Sequence, residues 1–239
     1  MMFIDNFRTK TLYLTLENDI YPICICVFKG NSVTAEMVGL LSSDDYIQYT
    51  NCISPKRKKQ FLLGRLCAYK AINILTNFRE SSVSIEKSFF NAPIIKGNGD
   101  ISITISHSED WVVAVAYSSK LMLGVDTESF SNNELIEKNI SNIHQKVFNY
   151  ITLYTNMNAY TLCWMVREAL SKALRTGLTI SEEVLQISET CVKYIDEYVI
   201  LEFDFDYFPV FKGVYFELEG CPIALVFPKR LSFKIAIER

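Results

Sequence analysis

The sequence predicts an α+β fold with mainly antiparallel sheet. Three observations lead there. Two apolar strands near the N-terminus are separated by a short polar turn, two long segments carry helical periodicity, and the remaining strands come in blocks rather than in strict alternation with helices. Leu12–Leu16 and Tyr21–Phe28 read as the first two strands, closed by Lys29-Gly30-Asn31. A helix follows over about Pro55 to Leu75. Ser54 is placed to cap it, Pro55 suits its first turn, and Leu62, Leu66, Ala68, Ile72 and Leu75 recur at helical spacing. Asn91-Ala92-Pro93 marks a loop, after which Ile101–Ser106, Trp111–Tyr117 and Leu121–Thr127 read as strands. Asn133 to Tyr150 reads as helical. A second strong helix spans about Asn158 to Thr176 and should be stopped by Gly177. Tyr194–Phe203, Val214–Leu218 and Ile223–Phe227 complete the strand candidates. A domain boundary is expected near residue 120, although no Pro/Gly-rich linker marks it.

The chain has 239 residues, 49% hydrophobic and 21% charged, with a net charge of −3. That composition is ordinary for a globular protein, and the acidic balance argues against broad nucleic-acid binding. An anionic ligand would need a local basic cluster. The seven cysteines include no Cys-x-x-Cys pair, and with two histidines a zinc site is not expected. Most of them lie in apolar runs, which reads as buried thiols in a reducing compartment. No basic segment followed by a long apolar one opens the sequence, and its apolar runs are too short to span a bilayer. The expectation is a cytoplasmic protein with no membrane contact.

Four segments carry candidate chemistry. In Gly124-Val125-Asp126-Thr127-Glu128, strand alternation puts Asp126 and Glu128 on one face. Two carboxylates there repel unless a cation or proton joins them, and oxygen ligands suit Mg²⁺. The same five residues are also compatible with a strand running out into an acidic turn. In Trp164-Met165-Val166-Arg167-Glu168-Ala169-Leu170-Ser171-Lys172, a helical wheel places Leu162, Val166, Ala169, Leu170 and Ala173 on an apolar arc. Trp164, Arg167, Glu168, Lys172 and Arg175 fall on the other arc. Glu168 and Lys172, four apart, could be a surface ion pair, which leaves the large Trp164 on that arc unexplained. In Ser106-His107-Ser108, His107 ends a strand and either packs as a half-buried residue or donates to an anion at the sheet rim. Lys56, Arg57, Lys58 and Lys59 crowd the first turn of the Pro55 helix, where the helix dipole disfavours cations. One bound anion would relieve that repulsion, and Arg65 could join the same site. A solvated lysine-rich edge is the plainer reading.

Taken together and in order, these segments resemble the surfactin-type 4′-phosphopantetheinyl transferases. The matching stretches are Phe61-Leu62-Leu63-Gly64-Arg65, Ala92-Pro93, Ser106-His107-Ser108, Gly124 to Glu128 and Trp164 to Lys172, within about residues 54–180. The resemblance implies two similar α/β halves, each a mainly antiparallel sheet on a long helix, related by a pseudo-two-fold axis. The halves would be residues 1–120, gripping the CoA nucleotide, and residues 121–239, carrying metal and catalytic helix. It implies Mg²⁺ held by Asp126, Glu128 and Glu168, and His107, with Ser106 beside it, at a CoA phosphate. Lys172 would steady the pyrophosphate or the attacking serine, and Glu168 would help deprotonate that serine. Arg57, Lys58 and Arg65 would hold the nucleotide end. The implied reaction moves 4′-phosphopantetheine from coenzyme A to a serine of an acyl or peptidyl carrier protein, releasing adenosine 3′,5′-bisphosphate. By resemblance the protein is a monomer serving fatty-acid, polyketide or nonribosomal-peptide carriers.

The sequence departs from the family pattern in four places. Arg167 stands for the usual Lys, Thr127 for an apolar residue, Asn91-Ala92 for Gly-Lys before Pro93, and Asn142–Asn149 lacks the common Phe-Ser-x-x-Glu. A non-catalytic CoA- or carrier-binding module on the same scaffold is the alternative, disfavoured by the complete carboxylate and lysine set. An unrelated Mg²⁺-dependent phosphohydrolase is disfavoured by the lack of a further acidic pair near these motifs.

Overall fold

The structure is a computed structural model, and it describes residues 6–30, 32–76, 83–88, 92–130, 136, 140 and 143–235. It is α+β, with mostly antiparallel sheets and five helices among the described residues. Two compact units form, Met1–Lys120 with Phe233–Arg239, and Leu121–Ser232.

In the first unit, β1 (Phe7–Leu16) and β2 (Asp19–Lys29) make an antiparallel hairpin whose turn uses Glu17 at φ 52°. Two short helices, α1 (Ala35–Val38) and α2 (Ser43–Thr50), are capped by Thr34 and Ser42, whose hydroxyls accept from backbone N–H groups. The long helix α3 (Pro55–Thr76) follows. Ser54 caps it, its Oγ accepting from Arg57 N at 3.2 Å. The small hairpin β3 (Ile85–Lys87) and β4 (Pro93–Ile95) leads to β5 (Ile101–His107) and β6 (Trp111–Ser118). With the C-terminal strand β12 (Ser232–Lys234), these make a five-stranded sheet in the order β12-β1-β2-β6-β5. Leu62, Leu63, Leu66 and Ile72 of α3 pack on Cys24, Cys26 and Phe28 of β2 and on Val112, Ala114 and Ala116 of β6. Burying side chains of this size contributes roughly 1.5–3 kcal/mol each.

The second unit starts with β7 (Gly124–Asp126) and continues through α4 (Gln145–Tyr154) to α5 (Ala159–Leu174). Asn158 caps α5, its side chain accepting from Tyr160 and Thr161 N–H. Two 3₁₀ turns, Gly177–Thr179 and Glu182–Leu185, lead to β8 (Ile187–Ile195), β9 (Tyr198–Phe205), β10 (Phe211–Leu218) and β11 (Cys221–Pro228). The sheet order is β7-β11-β10-β9-β8. Leu162, Val166, Ala169 and Leu170 of α5 pack on Leu201, Phe203, Tyr215, Ala224 and Val226, joined by Val147 and Ile151 of α4.

Several expectations need correction. The strand expected at Tyr194–Phe203 straddles a hairpin turn, because Asp196 adopts φ 53° and reverses the chain between β8 and β9. Asp tolerates this left-handed conformation, but the sequence lacks the Asn-Gly signature that would announce it. Helix α5 is stopped by Arg175 in the left-handed conformation (φ 58°), not by Gly177. Strand β7 is three residues long, shorter than expected, and β12 joins the first sheet although its sequence lies in the expected second half. Of the expected helix over 133–150, residues 133–135, 137–139 and 141–142 lie outside the described residues, as does Asn91 of the proline loop. No cysteine is paired in a disulfide, and no helix among the described residues is long and apolar enough to cross a membrane.

A buried polar network ties the first unit together. Asp45, fully buried, accepts from Arg65 Nε at 2.9 Å, from Gln48 Nε2 at 3.2 Å and from the Tyr69 hydroxyl. Arg65 Nη2 also donates to the Ile85 carbonyl at 3.0 Å, so α2, α3 and β3 meet on one ion pair. Breaking such a pair strands a buried charge, at a cost of about 3–5 kcal/mol. Asp45→Ala is expected to lower stability by roughly that amount in urea unfolding. Asp44→Ala, which removes an exposed and solvent-screened pair with Lys96, should leave it nearly unchanged.

Candidate active site

Strand β7 lies directly on the backbone of α5. A Cβ on Gly124 would sit 2.0 Å from the Ala169 carbonyl oxygen, 2.5 Å from the Ala173 nitrogen and 3.0 Å from Lys172 Cβ. Only glycine permits that approach. Two residues on, Asp126 ends the strand at 4% exposure, and its Oδ1 accepts from Lys172 Nζ at 2.6 Å. Just past the strand the chain is fixed from the other side. Thr127 is fully buried and its hydroxyl donates to the Pro222 carbonyl at 2.7 Å, so its side chain points away from the Asp126 face. The polar residue at this apolar position is thus satisfied internally.

Glu128 and Glu168 complete the cluster, both half-buried. Burial first, then the neighbouring Asp126 and Glu168 charges, push the Glu128 carboxyl up to about 7, with Lys172 opposing. Burial and then Asp126 push Glu168 up to about 7, again opposed by Lys172. Glu168 Oε1 is buried and makes no hydrogen bond among the described residues. Three carboxyls thus share one ammonium, and they cannot all ionise cheaply. Among the described residues no three His, Cys, Asp or Glu side chains are gathered as a ready-made metal cage.

The α5 wheel holds for its apolar arc but not for all of the polar one. Arg167 is only 6% exposed, and Trp164 packs partly buried against the second core. Polarity on a wheel gives the direction of the apolar face. It does not say whether the opposite face meets water.

The first unit gathers a second set of side chains. Arg57, Phe61 and Arg65 of α3, Lys87 of β3, Pro93 of β4 and His107 of β5 line one cleft. Gly64 makes room for it, since a Cβ there would meet Ile105 Cγ2 at 3.2 Å. His107, on the Ile105 face, enters this cleft, whereas Ser106 is buried and alternates to the opposite face. Of the other expected nucleotide ligands, Lys58 places its ammonium 5.6 Å from the Tyr49 ring centre, and Arg65 is engaged by Asp45 and Ile85. Arg57 remains at the cleft. Lys87 was missed by sequence reasoning, because nothing local distinguishes it from a surface lysine on an exposed strand.

No family model matches the chain, and no curated protein matches it.

Two outcomes follow from this geometry. Gly124→Ala should destabilise the protein by about 1–3 kcal/mol or more in chemical denaturation, because rigid helix backbone blocks the new methyl. Gly213→Ala should be milder, since its Cβ would meet the Val166 side chain at 3.0 Å. The second outcome concerns pH. Glu128 and Glu168 hold protons more tightly folded than unfolded, so metal-free protein should lose stability as pH rises from about 4.5 through 7. In EDTA, Glu168→Gln should therefore melt above wild type at pH 8, with the difference closing towards pH 4.5. A constant difference across that range would show that the charge is not the cause.

Proposed function

We propose that this protein transfers 4′-phosphopantetheine from coenzyme A to a serine hydroxyl of an apo acyl or peptidyl carrier protein, in a Mg²⁺-dependent reaction that releases adenosine 3′,5′-bisphosphate. The observation that carries the reading is the meeting of two distant motifs. Gly124 seats β7 on α5, and Asp126 and Lys172 end 2.6 Å apart with Glu128 and Glu168 acting electrostatically on the same group. The reading also takes the two units as the pseudo-two-fold-related halves of that enzyme class. In its favour, each unit by itself packs a five-stranded sheet on one long helix.

Asp126, Glu128 and Glu168 would hold the metal. Their chemistry fits: an all-oxygen donor set, an excess of acid over base, and a buried Glu168 oxygen without a hydrogen-bond partner among the described residues. Mg²⁺ commonly uses one or two carboxylates and completes its shell with water and substrate phosphate, so a full protein cage is not required. When bound, the ion neutralises charge on the substrate phosphates.

The remaining steps fall to the protein's own groups. The serine oxygen forms a bond to the β-phosphorus of CoA, and the phosphoanhydride bond to adenosine 3′,5′-bisphosphate breaks with its electron pair leaving on that product. Glu168 takes the serine proton. Lys172, already held beside the carboxylates, offsets charge developing on the leaving phosphate. His107 and Arg57 bind the nucleotide end, while Arg65, held by Asp45, positions the cleft wall, and Lys58 and Ser106 lie outside the cleft lining. A cytoplasmic location and a monomeric state belong to the same reading.

The test is mass spectrometry of apo acyl and peptidyl carrier proteins after incubation with CoA, Mg²⁺ and this protein. The expected result is a gain of one phosphopantetheine per carrier, lost in Asp126→Ala while the circular dichroism of the variant stays native. No gain on any carrier, with no adenosine 3′,5′-bisphosphate released, would overturn the reading.

A further inference from the structure

We propose that Lys87 is an anion-contacting residue of the first unit's cleft, holding with Arg57 a phosphate at the nucleotide end of the substrate. The inference rests on the function proposed above. Its basis is how the charges around the cleft are spent.

Arg65 lines the cleft, but its Nε is paired with buried Asp45 at 2.9 Å and its Nη2 donates to the Ile85 carbonyl at 3.0 Å. Its charge is largely cancelled before any ligand arrives. Two acids at the β3–β4 hairpin are also taken. Glu86 and Asp44 both pair with Lys96, at 3.3 Å and 3.1 Å. Strand alternation sends Glu86 and Lys87 to opposite sides of β3, so Glu86 faces Lys96 while Lys87 lines the cleft. Among the described residues, no carboxylate is paired with Arg57 or Lys87. Two uncancelled cations therefore border a recess that Gln60 and His107 also line.

Lys87 and Arg57 also border the adjoining recess at Asn51, Cys52 and Ile53, with Phe61 common to both. The two cations thus stand at the junction between two recesses, of which the one at Ile53 is the more apolar. A phosphate attached to a nucleoside matches that order, with the charge at the junction and the flatter apolar part beside Phe61. The position of Lys87 is set by the buried network, because the Ile85 carbonyl that Arg65 grips lies two residues earlier on the same strand. Charge-assisted hydrogen bonds to phosphate are among the stronger polar contacts.

The experiment is calorimetric titration of the full chain with CoA, 3′-dephospho-CoA and adenosine 3′,5′-bisphosphate. Wild type is compared with Lys87→Ala, Lys87→Glu and, as a control for losing one surface charge, Lys120→Ala. Lys87→Ala should weaken CoA and the bisphosphate by about tenfold or more, Lys87→Glu further, and Lys120→Ala by less than about twofold. 3′-Dephospho-CoA should bind all four proteins within about threefold of one another. Equal CoA affinity in wild type and Lys87→Ala, or an equal loss for all three titrants, would overturn the assignment. The two readings can fail separately. Normal carrier modification with unchanged affinity in Lys87→Ala removes Lys87 alone. Lys87-dependent bisphosphate binding without any carrier modification removes the transfer reaction and leaves the anion site. Wild type that binds none of the three titrants overturns the site itself.

Discussion

The close approach of Gly124 to the backbone of α5 is the constraint on which the candidate site depends. A strand normally stands off a helix by the length of the side chains between them. Here the strand comes down until only a hydrogen atom separates it from the Ala169 carbonyl. That contact removes the slack from two side chains at once. Asp126 is two residues along the strand and Lys172 is one turn along the helix, so fixing the backbones fixes the pair. Thr127, bonded to the Pro222 carbonyl between Asp126 and Glu128, prevents the strand from rotating about its own axis. Precision at the carboxylates is thus set by backbone packing and by a hydroxyl that never faces them.

The first unit uses a different device. Its cleft stands on the buried Asp45–Arg65 pair, which joins α2, α3 and β3. A buried ion pair is a weak source of net stability, since desolvation offsets most of the attraction. What it supplies is register. Gln48, Tyr69 and the Ile85 backbone all converge on the same two side chains, and few other arrangements of the three elements would satisfy that set. Burial and the adjacent Asp45 raise the Tyr69 phenol well above its ordinary value, keeping it a donor.

How much of this was legible in the sequence follows from the range of the forces involved. Helix α3 and helix α5 were readable because capping and periodicity are local, and both begin where Ser54 and Asn158 place them. Strands β2, β6, β10 and β11 were readable as apolar runs. Strand β8 was not, because its exposed face carries Glu189, Cys191 and Lys193, and its turn is made by Asp196 rather than by glycine. The short helices α1 and α2 are held by caps and by packing on α3, and four to eight residues are too few to show a period. Asp126, Glu128, Glu168 and Lys172 stood out in the sequence because their motifs are compact, and the fold brings Asp126 and Lys172 into contact. Arg65 was assigned to a ligand because a lone arginine in an apolar stretch is conspicuous. Its actual partner, Asp45, lies twenty residues earlier on another helix, beyond the reach of any local pattern.

The two sites have opposite electrostatic imbalances, and this decides what each can accept. In the second unit three carboxyls face one ammonium, and two of them are held near 7 by burial and mutual repulsion. Such a group is relieved by a proton or by a cation, and a cation leaves the carboxylates ionised and fixed. In the first unit Arg57 and Lys87 lie beside a cleft whose nearby acids are already committed to Arg65 and Lys96. That group is relieved by an anion. Each imbalance is answered by a ligand of its own sign: a metal ion relieves the carboxylates and does nothing for the cationic cleft, and a phosphate relieves the cleft and does nothing for the carboxylates.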